Sequence, residues 1–401
     1  MDQFPSLAGQ LHIGGIPLRR LASRIGRTPF YAYDRALITQ RVGELRAALP
    51  AAIKIHYAIK ANPMPALVNH LAGLVDGLDV ASGGELKTAL DTGMDAHDIS
   101  FAGPGKRPEE LRQAVAAGIL INLESFREVA ELSEIRRATG WRARVAVRVN
   151  PDFDIRSSGM KMGGGAKPFG VDSELVPELL ADIRRADLDF AGFHLFVGSQ
   201  NLRPEAIVEA QSRCFDLAVR LSAAAPAPVT FLNLGGGFGI PYFPGERRLA
   251  LEPIAANLEA LAAKARVDLP RAQLTIELGR YLVAEAGVYV CQVIDRKVSR
   301  GQIFLVTDGG LHHHLAASGN FGQVIRKNYP VAIGTRMDEE ACVLTSVVGP
   351  LCTPLDLLAE RLPLAAAQPG DLVVVYQSGA YGASASPQDF LGHPHVIEAL
   401  V

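Results

Sequence analysis

The chain has 401 residues, 48% hydrophobic and 20% charged, with a net charge of -2 at pH 7. That charge leaves no electrostatic footprint for nucleic acid or an anionic membrane surface, and no apolar run is long enough to span a bilayer. Cys214, Cys291, Cys342 and Cys352 show no CxxC spacing, which points away from a disulfide scaffold and toward a reducing cytoplasm.

The start, MDQFPSLAGQ, has no charged segment followed by an apolar stretch, so no secretory signal is expected. The length predicts two domains. From about residue 30 to 280, short apolar runs alternate with helical stretches. Strands are predicted at 53–60, 77–81, 98–102, 119–122, 143–149, 190–197, 230–234 and 273–278. Amphipathic segments such as Pro108–Val115 and Glu124–Arg137 lie between them. This alternation reads as α/β with a parallel sheet. Eight strands suit a closed (β/α)8 TIM barrel; a doubly wound open sheet is the alternative. After about residue 280 the runs Val288–Ile294, Ile303–Thr307, Cys342–Val348 and Leu372–Tyr376 are β-rich with little helix between them. They predict a C-terminal, mainly antiparallel β-barrel domain. The predicted division is a barrel over 30–280, with 1–29 and 281–401 in the β-domain. His12–Ile13 and Thr28–Tyr31 add a strand to one or the other.

Lys60 ends the first barrel run, and Ala61-Asn62-Pro63 breaks the strand after it. A lysine at the carboxyl end of a buried strand is costly to keep charged. That makes it a candidate amine nucleophile for a carbonyl cofactor held as a Schiff base. Taken alone, a lysine whose head reaches water is the simpler reading. Side-chain parity changes the balance. Along each strand the apolar residues take one face. Lys60, Asp79, Arg148, His194 and Glu277 all take the other, each at or near a carboxyl end, where barrel active sites are built.

Asn233-Leu234-Gly235-Gly236-Gly237-Phe238-Gly239 follows the seventh strand. Glycines let backbone N–H groups approach an anion, and this loop is a frequent phosphate site in such barrels. A flexible turn is the simpler reading of the glycines alone. Glu277-Leu278-Gly279-Arg280 offers a second cradle and a cation. No GxxxxGK[ST] is present, which argues against a nucleoside triphosphate.

These segments resemble the alanine-racemase-like pyridoxal-phosphate enzymes, on the branch of diaminopimelate, ornithine and arginine decarboxylases. The likeness covers nearly the whole chain. It rests on His56–Pro63, Leu78–Ser82, Val197–Gln200, Gly235–Gly237, Glu277–Arg280, Gly349–Cys352 and Gly379–Gly382. It implies a homodimer with shared active sites and pyridoxal 5'-phosphate as cofactor. It implies that Lys60 carries the cofactor and that Glu277 pairs with its ring nitrogen. Ser199, Gly235, Gly236, Gly237, Gly279, Arg280 and Tyr381 hold the phosphate. Asp79 assists proton transfers at Lys60, and Cys352, supplied across the dimer, protonates the carbanion. Arg148 joins the cofactor-binding set. The usual role of a lone cysteine is that of a small buried hydrophobe; its place in Gly-Pro-Leu-Cys sets Cys352 apart.

The chain also departs from the diaminopimelate pattern. Phe196 stands where a histidine stacks on the cofactor ring, with His194 two residues earlier. An aromatic face still stacks, and His194 is either a catalytic group in the barrel or a core histidine. After Asp308-Gly309-Gly310 the run is Leu-His-His-His-Leu-Ala-Ala-Ser-Gly-Asn, without the arginine and tyrosine that grip the substrate's far end. His312, His313 and His314 would alternate faces on a strand, and no metal is expected there. Cys352 is followed by Thr353-Pro354-Leu355-Asp356 rather than by a glutamate. The lost groups would have paired a distal amino acid head. With the Gly-rich basic stretch Ser158–Gly170, these features are most similar to the butirosin-type decarboxylase of a carrier-tethered glutamyl unit and the exosortase-A-associated decarboxylases. The expected activity is a pyridoxal-phosphate carboxy-lyase that removes the α-carboxylate of an L-amino acid unit, free, conjugated or on an acyl carrier protein. The alternatives are diaminopimelate decarboxylase, a siderophore-pathway decarboxylase of a citryl-amino acid, and a racemase.

Overall fold

The computed structural model describes residues 3–154, 160, 161, 163–321, 323 and 326–401. Of the Gly-rich stretch, Ser158, Gly159 and Met162 lie outside the described residues. The chain forms two compact units. One comprises Arg41–Ile240 and Arg247–Tyr281; the other comprises Met1–Gln40, Pro241–Glu246 and Leu282–Val401.

The first unit is a closed parallel barrel. Its strands are β1 (Lys54–Ala58), β2 (Gly77–Val80), β3 (Ile99–Phe101), β4 (Leu120–Leu123), β5 (Arg144–Asn150), β6 (Asp189–Leu195), β7 (Phe231–Gly236) and β8 (Gln273–Leu278). Each pairs in parallel with the next, and β8 returns to β1 with Glu277 opposite His56. Side chains sort by parity as predicted. Ile55, Tyr57, Leu78, Val80, Val145, Val147, Val149, Phe193, Leu195, Leu274, Ile276 and Leu278 are buried, on the face the helices cover. Leu120, Ala146 and Phe231, on the opposite parity, pack as one apolar cluster with Ala191, which sits at the register shift between Phe190 and Gly192. The polar groups Asn122, Arg148 and Asn233 come two residues later on β4, β5 and β7, toward the carboxyl ends.

Helices follow the strands because their starts are signalled locally. Ser82 Oγ accepts from Glu85 N (3.2 Å) at the head of Gly83–Asp91. Ser125 Oγ accepts from Glu128 N (3.4 Å) at the head of Phe126–Thr139. Both are N-caps that satisfy an orphan amide.

The second unit is a mainly antiparallel sheet around the long strand Gly287–Ser299. That strand pairs antiparallel with Gln302–Thr307, Leu372–Val375 and Phe30–Tyr33. Gln302–Thr307 pairs in parallel with Val343–Val348, and Ile397–Leu400 with Phe30–Tyr33. Phe4, Leu11, Ile13, Leu18, Leu21, Phe30, Val288, Val290, Leu372 and Val374 form its core. The units divide at Gln40 rather than at residue 30. Phe30–Tyr33 is locked into the β unit by its ladder, so the barrel unit takes over only within the helix Arg35–Ala48.

Candidate active site

The fold gathers most of the expected residues at the carboxyl ends of the barrel strands. Lys60 is the first point of difference. β1 stops at Ala58, and Ile59–Ala61 form a 3-10 turn, so strand parity does not place this lysine. The turn itself ends at Asn62, which the Pro63 ring holds extended. Lys60 is exposed within the chain, so burial is not what distinguishes it. Its neighbours are. A Cβ on Gly279 would come within 2.8 Å of Ala61 Cβ, so Gly279 packs directly on the Lys60 turn. The Lys60 ammonium stands 5.3 Å from the centroid of the Phe196 ring.

Glu277 is buried on β8. His194 Nε2 lies 2.8 Å from its Oε2, and Asn233 Nδ2 donates to the same oxygen at 3.2 Å. Burial by itself would raise the Glu277 carboxyl. The charge of His194, reinforced by Lys60 and Arg148, holds it well below the usual carboxylate range. His194 is itself buried, and neither of its ring nitrogens makes a hydrogen bond among the described residues, although Nε2 stands close to the Glu277 carboxylate. His194 therefore supports the carboxylate from within the barrel.

Asp79 sits on β2 opposite Ala58 of β1. Its Oδ1 faces His56 Nδ1 at 3.0 Å and accepts from Ser100 Oγ at 2.6 Å; Asn122 Nδ2 donates to that hydroxyl at 3.2 Å. Burial works to lower the His56 pKa, but the carboxylates of Asp79, Asp98 and Glu277 together outweigh it and hold the imidazole above its ordinary value. Arg148 donates to Glu124 Oε1 at 2.9 Å, and Glu124 Oε2 accepts from Gly170 N at 2.9 Å.

Two loops are stapled together above β6 and β7. Asn201 N donates to Gly237 O and Gly239 N to Asn201 O, each at 2.9 Å. Gln200 Nε2 donates to Ile240 O at 2.6 Å. Gly235 N is held by Asn233 Oδ1 at 2.8 Å. At Gly236 a Cβ would lie 2.0 Å from Glu277 O, so only glycine lets this loop approach β8. Ser199, Gly235, Gly236 and Gly237 thus share one rim. Arg280 opens the short helix directly after Gly279. Cys352 and Tyr381 belong to the β unit; Cys352 is exposed and Tyr381 is partly buried. His312, His313 and His314 are all buried in a turn, with His313 N and His314 N donating to Gly310 O, rather than alternating on a strand.

Several polar residues of the barrel escaped the sequence reading: Glu124, Lys106, Glu128, Asn122, Ser100 and Asn233. The parity test applied to β4 and β7 would have found Asn122, Glu124 and Asn233. Lys106 lies in a loop, where no period marks it.

The fit to a pyridine-ring aldehyde with a phosphate tail rests on the donor set. A carboxylate held ionised suits a protonated ring nitrogen. An unpartnered imidazole nitrogen lies beside it, an amine-bearing turn lies nearby, and a glycine-lined rim offers backbone amides to an anion. These features define a pyridoxal-phosphate-binding TIM barrel. The chain belongs to the pyridoxal-dependent decarboxylase family: residues 35–284 match the model of the pyridoxal-dependent decarboxylase, pyridoxal binding domain. It is 40% identical over 379 residues (93% of this chain, 88% of the relative) to the L-glutamyl-[BtrI acyl-carrier protein] decarboxylase of Niallia circulans. It is 34% identical over 396 residues (98% and 91%) to the diaminopimelate decarboxylase of Aquifex aeolicus. The crystal structure of Helicobacter pylori diaminopimelate decarboxylase complexed with L-lysine superposes with a TM-score of 0.84 at 29% identity, covering 96% of this chain and 94% of that one. The protein is a pyridoxal-phosphate-dependent carboxy-lyase.

Proposed function

We propose that this decarboxylase removes the α-carboxylate of an L-amino acid unit whose far end is masked, as on an acyl carrier protein. The carrying observation is the state of the three histidines that replace the distal clamp. Burial pushes His312 down to about 3, with His313 and His393 adding to the effect. It pushes His313 down to about 4 and His314 to about 3. All three are neutral at physiological pH, so this segment carries no cation for a distal carboxylate. The similarity to a decarboxylase of a carrier-bound glutamyl unit supports the same reading.

When bound, pyridoxal phosphate supplies the sink for the electron pair left when CO2 departs. In this reading the Lys60 amine holds the cofactor, and Asp79, steadied by His56 and Ser100, assists its proton transfers. Glu277 holds the proton on the ring nitrogen, while His194 and Asn233 keep that carboxylate aimed. Phe196 offers a ring face in place of an imidazole. Ser199, Gly235, Gly236, Gly237, Gly279, Arg280 and Tyr381 bind the phosphate, and Arg148, paired with Glu124, joins the cofactor-binding set. Cys352 delivers the proton to Cα; a thiol suits this because its pKa lies nearer neutrality than a hydroxyl's. The resemblance further supports a homodimer with shared sites, and four unpaired cysteines support a cytoplasmic setting.

The test is CO2 release from glutamyl-loaded acyl carrier protein, free L-glutamate, meso-diaminopimelate and a citryl-amino acid conjugate. Turnover of a conjugated substrate at least tenfold above both free amino acids is expected. Faster turnover of free diaminopimelate would overturn the masked-end reading. Lys60→Ala should abolish the visible absorption of the purified holoenzyme, and retention of that band would remove Lys60 from its role.

A further inference from the structure

The turn that carries Cys352 has no regular secondary structure, yet it is built around one buried side chain. Asp356 is 3% exposed. Its Oδ2 accepts from Leu351 N at 2.8 Å, within the turn. Its Oδ1 accepts from Leu311 N at 2.6 Å, on the segment that replaces the family's distal clamp. The Asp356 backbone closes the same loop, accepting from Gly349 N and donating to Thr353 O, each at 3.2 Å. Asn320 Nδ2 adds a second tie, to Leu355 O at 3.4 Å.

The surrounding backbone is shaped to the carboxylate. A Cβ on Gly310 would fall 2.1 Å from Asp356 Oδ1. One on Gly349 would fall 2.3 Å from Oδ2 and 2.6 Å from Gly310 Cα. Two chain segments therefore close on the carboxylate with no room for side chains. A buried carboxylate between two amides fixes both at once, because each amide left unpaired would carry a desolvation penalty.

We infer that Asp356 is the positioning residue of the Cys352 turn: by clamping Leu351 N to Leu311 N it sets where the thiol stands when the substrate carbon is protonated. The inference rests on the reading of Cys352 as the proton donor. After CO2 leaves, the remaining electron pair takes one proton. At Cα this yields the amine. Misdirected to the bound cofactor and followed by hydrolysis by water, it would instead give a carbonyl product and the aminated cofactor. No oxidant or reductant is needed, and the ratio of the two outcomes reports thiol placement.

The experiment uses holoenzyme in a Cys342→Ser background and compares Asp356→Asn, Gly310→Ala and Cys352→Ala. Each is assayed with glutamyl-loaded acyl carrier protein for amine, carbonyl product and aminated cofactor, and with iodoacetamide for the alkylation rate at Cys352. Asp356→Asn keeps the shape but turns one acceptor into a donor. It should lower kcat about tenfold with KM within about twofold, raise the fraction of carbonyl product at least fivefold, and speed alkylation at least fivefold. Gly310→Ala should shift the same readouts in the same direction. If Asp356→Asn and Gly310→Ala leave partition and alkylation unchanged while Cys352→Ala shifts the partition, the positioning role is wrong and the thiol's role stands. If Cys352→Ala leaves the partition unchanged, the reading of Cys352 fails, and with it the inference. Should one clamp variant fail to fold, the other decides; should the carrier substrate not turn over, the alkylation rates decide.

Discussion

Lys106 and Glu128 form a fully buried ion pair in the barrel unit, with Nζ 3.1 Å from Oε1 and neither side chain exposed. The ammonium also donates to Gly103 O at 2.8 Å and Asn122 O at 2.7 Å, and Glu128 Oε2 accepts from Glu124 N at 2.8 Å. Burial pulls the Lys106 pKa down and pushes Glu128 up, each opposed by the partner's charge. Lys106→Met removes one charge and strands the other. Breaking such a pair costs about 3–5 kcal/mol. Glu128 can escape by taking a proton. From its ordinary value of 4.5, reaching pH 7 spans two and a half units at about 1.4 kcal/mol each, or about 3.5 kcal/mol. The escape therefore lies inside the same range, and it is pH-dependent. An unfolded-state carboxyl is protonated as pH falls through 4.5, so the deficit should shrink steadily between pH 7.5 and 5. The single tryptophan, Trp141, lies in this unit, so its fluorescence during denaturant unfolding reads the barrel. Glu128→Gln added to Lys106→Met should restore at least half the loss at pH 7.5. A single-variant deficit under about 1 kcal/mol at that pH, or one that does not change with pH, would refute the argument.

Glu277→Gln should keep the protein folded but lower CO2 release about 100-fold or more, on the scale of losing one preorganised charge in an active site; near-normal turnover in a decarboxylation assay would contradict the role given to this carboxylate. Gly236→Ala drives a methyl into Glu277 O, so cofactor affinity, read by titrating pyridoxal phosphate into apoenzyme, should fall at least tenfold. His56 has a folded pKa above its ordinary 6.5. Its pairing with Asp79 thus adds stability below that value and loses it as pH rises through the folded value. The stability gap between wild type and His56→Asn should be widest near pH 6 and narrow by pH 9 in parallel denaturant series; a gap that widens instead would reverse the sign of that coupling.

Much of the fold was legible because its signals are local. Strand and helix periods, cap residues and glycine loops act within a few positions, and the period of two along a strand sorts lumen from helix-facing side chains. Asp79, Arg148, His194 and Glu277 were recoverable on that basis, and so was the closed barrel. Partner choice was not local. That His194 meets Glu277, that Glu124 takes Arg148, and that Asp356 ties Leu351 to Leu311 all depend on how distant segments are brought level by register and loop packing. Lys60 shows the boundary between the two kinds of information: its motif marks it, but the turn at Ile59–Ala61 lifts it out of the strand whose parity was used to place it. Phe30–Tyr33 shows the same for a whole element. Its composition makes it a strand, and only the ladder it finds, with Gly287–Ser299, decides which unit owns it, because backbone amides are satisfied by neighbours in space and not by neighbours in the chain.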